Sequence, residues 1–238
     1  MPRVPAVVLA ATSILALTGC VSSTVPAEEA GRRATSRSTP DEPRATVRAR
    51  PAEPSPRTAE PAWRTSDGRP RRALISIPAI DVRALPVVPY RGSPDDGPGT
   101  RIQNGGVAAS PHGPRGGVGP GGVGNYLVTA HRTSSTRAFE DLPRLRVGDR
   151  VHVVAGGTRY VYRITATRST SFRSARSLAR QSAAVPGHPG RTPTRAMITL
   201  STCATPEDHA RGNYWADEFG NPEHRIDKIG TLVATRPA

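Results

Sequence analysis

The sequence predicts an all-β domain, a sandwich or a barrel, and two observations carry that prediction. Short runs of apolar and β-branched residues recur from Ala73 onward, and Gly- or Asp-containing turns such as Val147-Gly148-Asp149 and Gly156-Gly157 separate them. In chain order the runs are Ala73 to Ile77, Val82 to Val88, Tyr126 to Ala130, Arg150 to Val154, Arg159 to Arg168, Arg195 to Thr202 and Ile226 to Ala234. Ala138 to Leu145 predicts one helical turn, limited by Pro143. Two segments, Gly92 to Gly124 and Arg173 to Pro193, are rich in Gly, Pro or polar residues and read as mobile surface loops. The remaining ~120–130 residues suffice to close one small core.

The N-terminus sets the compartment. Met1-Pro2-Arg3 precedes an uncharged apolar run, Val4 to Thr18, which closes at Leu17-Thr18-Gly19-Cys20. A run that short is a signal-peptide core, because a membrane span needs ~20 apolar residues. Leu-Thr-Gly-Cys resembles the lipobox of bacterial lipoproteins, which implies cleavage before Cys20 and lipidation of its sulfur. Residues 1–19 are then a lipoprotein signal peptide, and the mature chain is anchored at the outer face of the bacterial cell membrane. Val21 to Arg72 holds eight prolines and no Ile, Leu or Phe. Such a segment cannot bury enough apolar surface to offset its ordering entropy, so residues 20–72 read as a disordered tether reaching ~40 Å. Residues 73–238 are left as the folding domain.

A net charge of +14 ordinarily points to nucleic acid. Here only Lys228 is lysine among 33 basic residues, and aromatic residues at 4 % are too few for base stacking. Nucleic acid is therefore excluded as a partner, and anionic lipid or wall polymer is the better use of the charge.

Cysteine usage then points to chemistry. The chain has two cysteines, and lipidation of Cys20 leaves Cys203 without an intramolecular partner. A lone thiol in an exported protein is a candidate reactive group. Cys203 ends the strand candidate Met197-Ile-Thr-Leu-Ser-Thr-Cys, His131 ends Tyr126-Leu-Val-Thr-Ala-His, and Arg225 opens the final strand. A thiol with a pKa near ~8.5 needs a nearby cation to become a nucleophile. An imidazole supplies one and then acts as general acid, while a guanidinium stabilises an oxyanion.

Thr199-Leu-Ser-Thr-Cys203 resembles the TLxTC signature of sortases. Ala130-His131-Arg132-Thr133, followed by Phe139-Glu-Asp-Leu142, Leu145 and Gly148-Asp149, resembles the histidine region of actinobacterial class E sortases, and Arg225 completes a His-Cys-Arg order. The resemblance implies a single closed eight-stranded β-barrel with short helical turns. It implies a cysteine transpeptidase that cleaves a Thr-Gly-like bond in the C-terminal sorting signal of exported proteins. The acyl group passes to a peptidoglycan-precursor amine, with no cofactor and no metal. Cys203, His131 and Arg225 are the candidate catalytic residues, with Thr202 and Thr133 beside them as candidate substrate contacts. Class E sortases commonly carry a Tyr shortly after the His-Arg-Thr, where Ser134-Ser135-Thr136 stand here.

Competing readings are weaker. His112, His152, His188, His209 and His224 lack the strand-end setting of His131, and Arg211 lies in a loop. Cys203, His209 and His224 match no common zinc spacing, and Glu207, Asp208, Asp217 and Glu218 form no recognised calcium loop. An L,D-transpeptidase would carry His-Gly before its cysteine, and a papain-like hydrolase would place Cys before His. A barrel kept as a non-catalytic binding module of a lipoprotein is the alternative from a different class.

Overall fold

The computed structural model describes residues 66–238; Cys20, the signal peptide and most of the tether lie outside the described residues. Eight strands close into a barrel: β1 (Ala73–Ile77), β2 (Val82–Arg91), β3 (Ala108–His112), β4 (Gly124–Thr129), β5 (Arg150–Ala155), β6 (Thr158–Ser171), β7 (Ala196–Cys203) and β8 (His224–Pro237). Their order around the barrel is β1-β2-β3-β4-β7-β8-β6-β5, and β5 returns to β1. Three short helices lie in the connections: α1 (Gly97–Asn104), α2 (Ala175–Ser182) and α3 (Thr205–Ala210). The closed eight-stranded barrel matches expectation, and closure leaves no open sheet edge.

The strands follow from alternation. Tyr126, Val128 and Ala130 of the β4 segment, with Ile198 and Leu200 of β7, join Ile75, Ile77, Val151, Val153, Tyr162 and Ile164 in the barrel core. Phe139, Leu142 and Leu145 plug one end; the expected helical turn there is a single 3-10 turn, Leu142–Arg144. The opposite faces of β4 and β7 are buried as well, because α1 and α2 lie over them.

The two expected mobile loops are built differently. Gly92 to Gly124 contains α1 and β3, and Arg173 to Pro193 contains α2. β2 and β3 are parallel, so a crossover must join them, and α1 supplies it. The glycines serve close packing in that segment. A Cβ on Gly99 would strike the Tyr90 hydroxyl, and one on Gly119 would strike the Arg69 carbonyl. The α1 helix is capped by Asp96, whose side chain accepts from the Gly99 N–H.

Candidate active site

Sheet register brings the three candidate residues into one row. β4 and β7 run parallel with Thr129 opposite Ser201, so two residues further His131 stands level with Cys203. β7 and β8 run antiparallel with Cys203 opposite Arg225. Parity places all three on the outer face, away from Ile198 and Leu200. The parallel pair makes both strands leave the barrel at the same end. Thr202 donates its hydroxyl to the Ala130 carbonyl at 2.8 Å, and the Phe139 N–H donates to the His131 carbonyl at 2.9 Å. The buried Thr202 therefore braces the strand end that carries His131, and Thr133 lies exposed just beyond it.

Arg225 is 0 % exposed, and its donors are divided. Nη1 donates to Cys203 Sγ at 3.2 Å, Nε donates to Asp95 Oδ2 at 2.9 Å, and Nη2 is buried without a partner among the described residues. The guanidinium carbon lies 4.0 Å from the centre of the Phe172 ring. Burial disfavours the Arg225 charge, but Asp95, Cys203 and Asp217 together outweigh it and raise the group further above its ordinary value. Burial pushes the Cys203 thiol up, with Arg225 opposing and Asp95 and Asp217 reinforcing the rise. Burial pulls the half-buried His131 down, opposed by Asp95 and aided by Arg225. Before substrate binds, both the thiol and the imidazole are therefore held toward their neutral forms.

Neighbouring groups fix the frame. Arg132 donates from Nη1 to the Cys203 carbonyl at 3.3 Å and pairs through both terminal nitrogens with Glu207 on α3. His131 Nε2 lies 2.8 Å from Asn104 Oδ1 at the end of α1. A cavity of about 420 Å³ opens beside Asp95 and Phe172, walled by Pro94, Leu178, Asp217 and Phe219. Gln181 of α2 forms its inner wall and donates from Nε2 to Ser201 Oγ (3.1 Å) and Asp227 Oδ1 (2.9 Å). The rival residues have other duties. His224 pairs with Asp208 at 2.8 Å, the exposed His209 stacks on Tyr214, and the exposed Arg211 lies 4.0 Å from Asp208.

Sequence reasoning missed Asp95, Asn104, Phe172 and Gln181. None carries a local signal, since each acts across the fold on a residue distant in sequence.

The sortase domain profile matches residues 75–216, more than half of the chain. No curated protein sequence matches. Among solved structures, the SrtA sortase from Actinomyces oris superposes with a TM-score of 0.53 at 19 % identity, covering 76 % of this chain and 90 % of that one. Sortase E1 from Streptomyces coelicolor, solved with a tripeptide in its active site, gives 0.52 at 22 % identity, over 73 % and 94 %. Sortase E from Streptomyces avermitilis gives 0.50 at 24 % identity, over 71 % and 91 %. At these identities the structures speak to the fold, and they agree on the barrel. With a domain match across most of the barrel, the chain belongs to the sortase family.

Proposed function

We propose that this protein cleaves a Thr-Gly-like bond in a C-terminal sorting signal through a Cys203 thioester and passes the acyl group to a wall-precursor amine. Sortases are cysteine transpeptidases that act at the outer face of the membrane on exported proteins and wall precursors. The observation that carries the reading for this chain is Arg225: one nitrogen reaches the thiol while another is buried without an acceptor among the described residues. An unpaired buried donor is costly, and a carbonyl oxygen becoming an oxyanion beside Sγ would satisfy it.

The steps follow from the row. The Cys203 thiolate attacks the scissile carbonyl, and Arg225 Nη2 donates to the oxyanion. The tetrahedral intermediate collapses, the C–N bond breaks, and imidazolium His131 gives its proton to the departing amine. The acceptor amine then attacks the thioester and loses a proton to His131, and the C–S bond breaks to return the thiolate. The peptide upstream of the scissile bond lies along the 420 Å³ cavity, whose Phe172, Leu178 and Phe219 suit an apolar side chain. Exposed Thr133 is placed to touch the peptide, while Thr202 acts through its brace. Cys20 carries the lipid that holds the enzyme at the membrane.

The test is a panel of fluorogenic LPxTG-like and LAxTG-like peptides with hydroxylamine or triglycine as acceptor, read with mass-spectrometric trapping of the acyl enzyme. Turnover with an adduct on Cys203, lost in Cys203→Ala, is the expected result. No turnover across the panel would favour the non-catalytic binding module. Cys20→Ala should release the protein from membranes, and unchanged membrane retention would reject lipidation.

A further inference from the structure

We propose that α1 takes part in the chemistry by bracketing the two partners of Cys203, with Asp95 fixing the Arg225 guanidinium and Asn104 fixing the His131 ring so that Nδ1 is the atom that exchanges protons. Asp95 and Asn104 are positioning residues, and the inference rests on the transfer reaction proposed above.

At the leading end of α1, Asp95 is 5 % exposed and adopts φ +59, a left-handed conformation that costs a non-glycine residue energy. Its surroundings enforce it. The Asp95 carbonyl accepts from Thr100 Oγ1 (3.3 Å) and from Asn221 Nδ2 (3.2 Å). Its carboxylate accepts from Gln103 Nε2 (2.6 Å) and Arg225 Nε (2.9 Å). Gln103 Nε2 also reaches Thr129 Oγ1 at 3.1 Å, two residues before His131. With Nε held, the planar guanidinium has one orientation, which sends Nη1 to Sγ and leaves Nη2 free.

At the trailing end, three contacts join α1 to the turn after β4. His131 Nε2 meets Asn104 Oδ1, Ser135 Oγ donates to the Asn104 carbonyl at 3.1 Å, and Thr136 Oγ1 donates to the Gly106 carbonyl at 3.1 Å. An amide oxygen only accepts, so the neutral imidazole carries its hydrogen on Nε2 and keeps a lone pair on Nδ1. Ser135 and Thr136, just after His131-Arg132-Thr133, thus serve as the staple to α1 and the residues that follow it. The charged and titratable groups around the ring are Asp95, Arg225 and Cys203. Arg132 and Arg137 of its own turn are paired with Glu207 and Glu140, and Arg101 of α1 is exposed.

The test uses the full chain and two independent readouts. Long-range ¹H–¹⁵N spectra of His131 report its tautomer and titration without any substrate, and peptide kinetics report kcat and KM. The expected wild-type result is the Nε2–H tautomer. In Asn104→Leu the preference is lost and kcat falls several-fold with KM little changed. In Asn104→Asp the acceptor is restored, the Nε2–H tautomer returns, and the new carboxylate raises the His131 midpoint by about half a unit to one unit, carrying the acidic limb of kcat/KM with it. Asp95→Asn keeps an acceptor for Arg225 Nε and should hold most of kcat, whereas Asp95→Leu should lose about tenfold or more. If Asp95→Leu fails to fold, Asp95→Asn against Asn104→Leu carries the comparison. An Nδ1–H tautomer in the wild type, or a His131 midpoint unmoved in Asn104→Asp, would overturn the bracket. Absence of turnover with every peptide would instead count against the transfer reaction, because the spectra stand apart from it.

Discussion

Replacing Arg225 with lysine tests the site most directly, because it keeps the charge and removes the fork. Arg225 serves Asp95 through Nε at 2.9 Å and Cys203 Sγ through Nη1 at 3.2 Å, and holds Nη2 in reserve. A lysine has one nitrogen at the end of a flexible stem and cannot meet a carboxylate, a sulfur and a carbonyl set along a planar fork. Loss of one preorganised oxyanion donor costs ~2.7–4 kcal/mol of barrier, so Arg225→Lys should lower kcat by about 10²–10³. The stability effect should be smaller, since an ammonium still faces Asp95. Arg225→Met is the contrast: it leaves the buried Asp95 carboxylate without a cation, which costs ~3–5 kcal/mol. The assay is kcat and KM with a fluorogenic sorting peptide beside thermal unfolding of the same preparations. The reasoning is refuted if Arg225→Lys keeps more than about a third of wild-type kcat/KM while folding normally, since that is under ~1 kcal/mol.

Three further outcomes follow from His131 with Cys203, from Asp227 and from Lys228. Since burial lowers His131 from its ordinary 6.5 and raises Cys203 from its ordinary 9.0, kcat/KM should form a broad plateau with its acidic limb below the first value and its alkaline limb above the second. On that plateau the thiolate–imidazolium pair is a small minority, and iodoacetamide labelling should climb toward alkaline pH; a thiol that titrates in the acid range would refute this. Asp227 is buried with its pKa raised by burial, so folding takes up protons there: stability falls as pH rises past the unfolded value near 3.8 and stays lowered above the folded one. Asp227→Asn should hence raise Tm at pH 7, with the gain shrinking toward pH 4, and a loss at pH 7 would show that the carboxylate's bonds to Thr170 and Gln181 outweigh its desolvation. Lys228, the only lysine, is buried and donates to the Pro143 and Leu145 carbonyls and to Thr167 Oγ1. Lys228→Met should cost about 2–3 kcal/mol in urea unfolding by stranding the carbonyls at the plugged end of the barrel, and unchanged stability would mean that water replaces the ammonium.

The strands carrying Cys203 and His131 were legible because their alternation is strong and each ends abruptly in a chemically distinctive residue. β3 was not. Ala108-Ala-Ser-Pro-His has no large apolar residue and is a strand only because β2 and β4 flank it. α2 is only eight residues long with a single leucine, and polar bonds from Gln181 fasten it, so its small apolar face of Ala175, Leu178 and Ala179 did not stand out from a polar run. Abundant Gly and Pro in residues 92–124 read as looseness, whereas Gly99 and Gly119 are small because backbone or a tyrosine occupies the space of a side chain. Asp95 lies in that segment, 130 residues from the arginine it holds, and no local pattern could link them.

The place of β8 in the closed sheet has a consequence for biogenesis. It is the eighth of the barrel's strands in chain order, it pairs with both β6 and β7, and it delivers Arg225 to the row. Until it docks, the ring is open and the sulfur lacks its cation. A folding chain therefore carries a thiol without its guanidinium neighbour until this fourteen-residue strand docks and closes the cylinder.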